Sequence, residues 1–148
     1  MLDVLTTVME PLRRSVRYSG EGGSIAAARD SAALFLDQLT ADRAAPVPRE
    51  RVQEVLLVVS ELVTNAGRYA PGPYELELSY SGGAVEVTVR DSSPELPRRF
   101  EPDPARIGGH GMEIVDRLCR EVTAERVEGG KRVTARLDVD VDGARDTK

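Results

Sequence analysis

The chain has 148 residues, of which 41% are hydrophobic and 30% are charged, and its formal net charge is -5. This composition is typical of one globular domain with a sizeable core, and it excludes a disordered chain. The acidic balance argues against direct nucleic-acid binding, and the chain contains no apolar run of the length that a membrane span requires.

The N-terminal segment and the rare residue types exclude further classes of protein. Basic residues follow the apolar ones in MLDVLTTVMEPLRRS, which is the reverse of a signal peptide, so we expect a cytoplasmic protein. Cys119 is the only cysteine and His110 the only histidine. We therefore expect no disulfide within the chain, no thiol-rich metal site and no Cys/His catalytic pair.

The first half of the chain is predicted to be mainly helical. Residues 1–14 indicate only a helical or flexible N-terminal arm. The segment SVRYSGEGGS predicts a short strand and a turn, after which Ser24 is expected to cap a helix that extends to about Leu39. Two prolines then predict a loop, and residues 49–69 form the strongest helix pattern in the chain.

The second half is predicted to contain two β-hairpins. The hydrophobic period changes from about 3.6 to about 2 over residues 76–89, which predicts the first hairpin. A loop rich in proline and glycine follows at 91–111, then a helix over about 112–120 and a second hairpin over 122–139, before the polar tail 141–148. This order predicts an α+β two-layer sandwich with helices on one face of a mainly antiparallel sheet.

The helix over residues 49–69 carries polar residues opposite its apolar stripe. Glu61 and Asn65 are spaced i, i+4 and therefore lie one turn apart on the same side. Two interpretations are open, namely a solvated polar face and a binding site. Asn65 favours a site because asparagine is a poor helix former, whereas Gly67 marks either a fraying helix end or a close approach to the backbone. The stripe is expected to comprise Val52, Val55, Leu56, Val59, Leu62, Val63 and Ala66, and the polar side Glu54, Glu61, Asn65 and Arg68.

Two later segments contain further candidate binding residues. Asp91 ends the strand AVEVTVRD and is either a turn aspartate bonded to the backbone near Ser93 or an acceptor for the amino group of a base. In IGGHGM, glycines precede a helix, where exposed backbone N–H groups and the helix dipole attract an anion. The segment is neither a P-loop nor a dinucleotide fingerprint, because no Lys-Ser/Thr pair follows and no βαβ unit surrounds it.

Three segments in order resemble the motifs of a known superfamily. ELVTNAGRYA is similar to the N-box, and VRDSSPELP and GGHGMEIVDRL to the two glycine-type boxes, of the GHKL ATPases, with the greatest similarity to anti-sigma-factor serine kinases. The resemblance covers residues 15–140, which we expect to form a single ATP-binding domain. It implies a Bergerat-type, histidine-kinase-like ATPase fold that holds ATP between the helices and a lid over Pro94–Ile107.

The resemblance also implies a role for each matching residue. Asn65 would bind Mg²⁺, and Glu61 would be the general base that accepts a proton from a Ser/Thr hydroxyl or a water. Arg68 would face phosphate, and Asp91, next to Ser93, would accept the adenine amino group. The loop and helix start that cradle the phosphates would be Gly109, His110, Gly111 and Met112.

Four positions depart from the pattern of this group. Tyr69 stands where a histidine is common, and Gly67 replaces a bulkier aliphatic residue. Ser93 stands where many superfamily members have glycine, and Arg132 where a threonine often helps to hold the adenine. The departure at Arg132 affects the adenine contact and therefore the affinity, but it removes no catalytic group.

The resemblance implies a Mg-ATP-dependent serine/threonine protein kinase that regulates transcription. Its partners would be an anti-sigma-factor antagonist-like protein, a sigma factor or both, and a homodimer to which residues 1–14 contribute is a further option. The alternative is a non-catalytic nucleotide-binding module whose lid selects a protein partner, and a structural protein without nucleotide also stays open. A histidine kinase, a topoisomerase and a chaperone are disfavoured because we see neither a phosphoacceptor histidine on its own helix nor further domains.

Overall fold

The computed structural model of the chain describes residues 4–10, 12–20, 23–43, 46–69, 72–93 and 111–140, the first of these ranges by its backbone alone. Within these ranges the chain forms six strands and three helices. The strands are β1 (Val4–Glu10), β2 (Arg13–Tyr18), β3 (Tyr74–Ser81), β4 (Ala84–Asp91), β5 (Glu121–Val127) and β6 (Gly130–Asp138), and the helices are α1 (Ser24–Arg43), α2 (Arg49–Tyr69) and α3 (Gly111–Leu118).

The six strands form one antiparallel sheet in the order β1-β2-β3-β4-β6-β5. Side chains alternate between the two faces of each strand, so one register row, Leu76–Val89–Val133, is buried on a single face. The order places β6 between β4 and β5, because the chain leaves β4 and returns through α3 before it forms the last hairpin. This crossover brings the end of β4 next to the start of β6.

The helices cover the apolar face of the sheet. The helix α2 packs against α1, α3 and β4, and its residues Val55, Val59 and Leu62 are buried. Val63 and Ala66 are buried as well, while Val52 and Leu56 are half-buried against the core, as the apolar stripe predicts. The predicted α+β sandwich with helices on one face of an antiparallel sheet is therefore confirmed. No helix in the described ranges is long and apolar enough to cross a bilayer.

The boundaries of α2 agree with the prediction, and those of other elements differ. The helix begins after Pro48, whose carbonyl accepts a hydrogen bond of 3.0 Å from the Val52 N–H. In contrast, the helical or flexible arm predicted for residues 1–14 is wrong, because Val4–Glu10 is a strand that pairs with β2. Valine and threonine make up most of this segment, and β-branched residues favour extended backbone.

The ends of α1 and α3 are also displaced from their predicted positions. The helix α1 extends to Arg43, beyond Leu39, and α3 ends at Leu118 rather than at about Arg120. The reason at α3 is that the Arg120 N–H donates to the Arg136 carbonyl at 2.8 Å, so the chain has already joined the sheet. The predicted tail, 141–148, lies outside the described residues.

Candidate functional site

The end of β4 carries a buried ion pair that crosses to β6. Asp91 is the register partner of Lys131, and both side chains are on the face that the helices cover. The Lys131 Nζ lies 2.8 Å from Oδ2 and 3.1 Å from Oδ1 of Asp91. The side chains are 1% and 2% exposed, respectively, so water contributes little to satisfying either charge. Because a buried charge needs a partner, each residue depends on the other.

The same carboxylate also closes the turn that follows β4. The backbone N–H of Ser93 donates to Oδ1 of Asp91 at 2.9 Å, which is the turn interaction that the sequence pattern suggests. The carboxylate therefore has two partners within the described residues, the Ser93 N–H and Lys131. This contact fixes the orientation of Asp91 at the point where the chain enters the segment predicted to be a lid.

Gly130 allows β6 to approach the end of β4. A Cβ atom placed on Gly130 would lie 1.8 Å from the carbonyl oxygen of Asp91 and 2.8 Å from the Cα of Ser92. No side chain fits at such distances, so only glycine permits this approach of the two backbones. Gly130 therefore allows β4 and β6 to lie close together at the point where Asp91 and Lys131 pair.

Glu61 and Asn65 lie on α2, and each is half-buried. Within the described part of the chain, neither side chain has a hydrogen bond or an ion pair, whereas Glu54 on the same helix pairs with Arg51. An amide and a carboxylate one turn apart and without partners are available to a ligand.

The C-terminal end of α2 gives less support for a special role. Gly67 is exposed, and a Cβ atom placed there would meet no atom within 4 Å, so the close approach suggested for this glycine has no support among the described atoms. Arg68 and Tyr69 belong to the helix, but their side chains lie outside the described residues.

The glycine loop is described only from its last residue. The helix α3 begins at Gly111 and packs against α2, and the Met112 side chain is buried with Val115 in the core. Met112 can therefore offer a ligand only its backbone. Its N–H is among the first of the helix, and these N–H groups lack intrahelical partners. The predicted lid, Pro94–Ile107, and the loop residues Gly109 and His110 lie outside the described residues.

Arg132, which the resemblance sets at a position that often helps to hold the adenine, is the register partner of Arg90. Its guanidinium pairs with Glu125 on β5, and both side chains are partly exposed on the open face of the sheet. Successive strand residues face opposite ways, so the preceding residue, Lys131, occupies the position next to Asp91.

Cys119 follows α3 and is mostly buried. Burial, and then the negative charges of Asp116 and Glu54, raise the pKa of its thiol from 9.0 to about 12. This thiol is accordingly a weak nucleophile at neutral pH.

The comparisons with known proteins agree with this arrangement. Residues 23–137 match the family model of the histidine kinase-like ATPase domain, a range that extends from the start of α1 almost to the end of β6. No protein among those with curated functions matches the chain.

Proposed function

Because the chain belongs to the histidine kinase-like ATPase domain family, within the GHKL-type ATPases, we propose that it is a Mg-nucleotide-dependent serine/threonine protein kinase. The resemblance of the sequence motifs implies that this nucleotide is ATP. The observation that carries the proposal is the pair Glu61 and Asn65, which is half-buried and without partners among the described residues.

The donor atoms of this pair fit a magnesium ion and a general base. The amide oxygen of Asn65 is a hard ligand, suited to a Mg²⁺ ion that retains most of its waters. The ion would neutralise charge on the phosphates of the bound nucleotide. The Glu61 carboxylate, without a cationic partner among the described residues, can accept the proton of a Ser or Thr hydroxyl.

The other site residues are proposed to bind the rest of the nucleotide. The backbone at Gly111 and Met112 provides N–H groups at the start of α3 for phosphate, together with the loop residues Gly109 and His110. Arg68 is proposed to contact phosphate as well. Asp91, held by Ser93, is proposed to face the base.

We propose that the phosphate acceptor is a small antagonist-like protein, and that the chain also binds a sigma factor in the cytoplasm as a regulator of transcription. The net charge of -5 favours a protein partner over nucleic acid. A homodimer is proposed through the N-terminal region, since β1 is an edge strand with one side unpaired within the described sheet.

A second candidate is a nucleotide-binding module that does not transfer phosphate. The observation in its favour is the Asp91–Lys131 pair, which already engages the carboxylate proposed to read the base. In such a protein the bound nucleotide would set the lid conformation and thereby select a partner.

Two variants test the kinase, with Gln53→Ala on the exposed side of α2 as the matched control. We expect Asn65→Ala to abolish Mg-dependent nucleotide binding in calorimetry. We expect Glu61→Ala to bind nucleotide normally but to lose phosphotransfer to a small antagonist-like protein. Normal transfer by Glu61→Ala would show that the base assignment is wrong, and tight binding by the unaltered chain without any transfer would favour the non-catalytic module.

A further inference from the structure

We propose that the open face of the sheet, opposite the helices, is a docking surface for an acidic segment of a protein partner, and that Arg17 and Arg90 bind its carboxylates. Both arginines lie on this face because they are register neighbours of Glu75, on β2 and β4 respectively. The inference goes beyond the proposed function, since neither arginine belongs to the proposed nucleotide site and docking here requires no nucleotide.

Several charged side chains on the open face pair with one another across neighbouring strands. These ion pairs are Arg13–Glu77, Arg132–Glu125 and Arg136–Glu86. In contrast, Arg17 and Arg90 are exposed, and neither has a hydrogen bond or an ion pair within the described part of the chain. Positive charge is therefore available to a partner at the end of the sheet where these two arginines lie.

The strand register leaves the charge of Arg90 unbalanced. Its register partners are Glu75 on β3 and Arg132 on β6, and like charges directly opposite one another destabilise a sheet. Glu125 pairs with Arg132, whereas the Glu75 carboxylate accepts a hydrogen bond of 3.0 Å from the Ser15 hydroxyl and forms no ion pair among the described residues. A carboxylate from a partner would therefore relieve the repulsion at Arg90.

A hollow of about 340 Å³ gives such a carboxylate a place to bind. Arg17, Glu75, Arg90 and Ser92 line it, and the Ser92 hydroxyl has no partner among the described residues. Arginine binds a carboxylate through two parallel N–H donors, and the hydroxyl adds a further donor. A second hollow of about 510 Å³ shares Glu75 and Arg90 with the first. The surface is therefore large enough for a peptide segment.

The acidic residues of the same hollow favour a peptide over a phosphate polymer. Glu75 and Glu128 line the hollow together with the arginines, and the whole chain has a net charge of -5. A multiply charged phosphate chain is repelled by these carboxylates, whereas a single carboxylate between two arginines is less affected. Glu128 is exposed and unpaired within the described residues, so it can accept from a peptide N–H. We therefore infer acidic side chains that are spaced by uncharged ones.

An NMR titration of the full chain without nucleotide tests the surface independently of the proposed nucleotide function. The probe is a blocked peptide in which glutamates alternate with serines, and the matched peptide has glutamine in place of glutamate. We expect the glutamate peptide to shift the signals around Arg17 and Arg90 and to bind at least about tenfold more tightly than the glutamine peptide. We expect Arg17→Gln/Arg90→Gln to lose this preference. The matched control is Arg136→Gln, which removes an arginine already paired on the same face and should keep the preference.

Four results would overturn the inference. The first two are equal binding of both peptides by the unaltered chain and an unchanged preference in the double variant. The third is binding of inorganic phosphate as tight as that of the glutamate peptide, because the hollow is then a site for small anions only. The fourth is a loss of self-association in the double variant, measured by sedimentation, because the occupant is then a second copy of the chain.

A charge exchange keeps the test decisive where the double variant fails to fold. Arg90→Glu then replaces it, and we expect this variant to prefer a peptide with lysine in place of glutamate, because the charge at the centre of the surface is reversed. A retained preference of Arg90→Glu for the glutamate peptide overturns the inference.

Discussion

Replacement of Lys131 by methionine tests whether the buried ion pair holds the end of β4. Methionine has a similar length and no charge, so Lys131→Met leaves the Asp91 carboxylate buried, with the Ser93 N–H as its one partner among the described residues. Breaking a buried pair by removal of one partner costs about 3–5 kcal/mol. This is a large part of the free energy of unfolding of an ordinary domain, which is about 5–15 kcal/mol.

Urea denaturation followed by circular dichroism measures the change. With a slope of about 2 kcal/mol per molar urea, we expect the midpoint to fall by about 1.5–2.5 M. The control is Arg132→Met, which removes an ion pair with partly exposed partners and should cost less than about 1 kcal/mol.

A double variant separates the lost attraction from the unpaired charge. Asp91→Asn together with Lys131→Met removes both charges and keeps an amide oxygen that accepts from the Ser93 N–H. We expect it to be more stable than Lys131→Met alone, because neutral replacement of a buried pair is often tolerated. A loss below about 1 kcal/mol in Lys131→Met, or an equal loss in Arg132→Met, would refute the reasoning.

Three further predictions concern single residues. Gly130→Ala should lower the free energy of unfolding by about 1–3 kcal/mol in the same urea assay, because its Cβ collides with the backbone of Asp91; unchanged stability would contradict this approach of β6 to β4. Gly67→Ala should raise the free energy of unfolding by about 0.5–1 kcal/mol, because the position is helical and unobstructed, and a loss would indicate a contact made by Gly67. At pH 8 Cys119 should have a thiolate fraction about a thousandfold lower in the folded chain than in urea, because burial raises the pKa of the thiol from 9.0 to about 12. A thiol reagent should therefore react far more slowly with the folded chain, and equal rates would contradict the burial; the same shift predicts that this thiol's contribution to stability decreases as the pH rises from about 9 to about 12.

The elements with a strong hydrophobic period are the ones that could be predicted from the sequence. The helix α2 has the predicted bounds, because its apolar stripe is long and prolines flank it on both sides. The strands β3 and β4 alternate clearly, and a Gly-Gly turn joins them. The strand β1 was missed because Val4–Glu10 is short and lacks regular alternation, so its conformation depends on pairing with β2.

The site could be predicted where local motifs mark it and not where distant strands meet. Glu61, Asn65 and Asp91 each lie in a recognisable box. Lys131 and Gly130 lie next to the end of β4 only because β6, and not β5, pairs with β4. The two paired strands are separated in the sequence by α3 and β5. Alternation along β6 does place Lys131 on the buried face with Val133, but nothing local identifies Asp91 as its partner.

The Asp91–Lys131 pair links the stability of the fold to the proposed nucleotide site, and the two effects have to be measured separately. A ligand that binds only the folded chain raises its stability in proportion to the logarithm of ligand concentration over Kd. Lys131→Met is therefore expected to lower stability without nucleotide, independently of its effect on nucleotide binding. Gly130→Ala displaces the strands that carry the same pair but keeps both charges. It should weaken the binding of Mg-ATP through the position of the strands, and an unchanged affinity would contradict a supporting role of Gly130 in the proposed site.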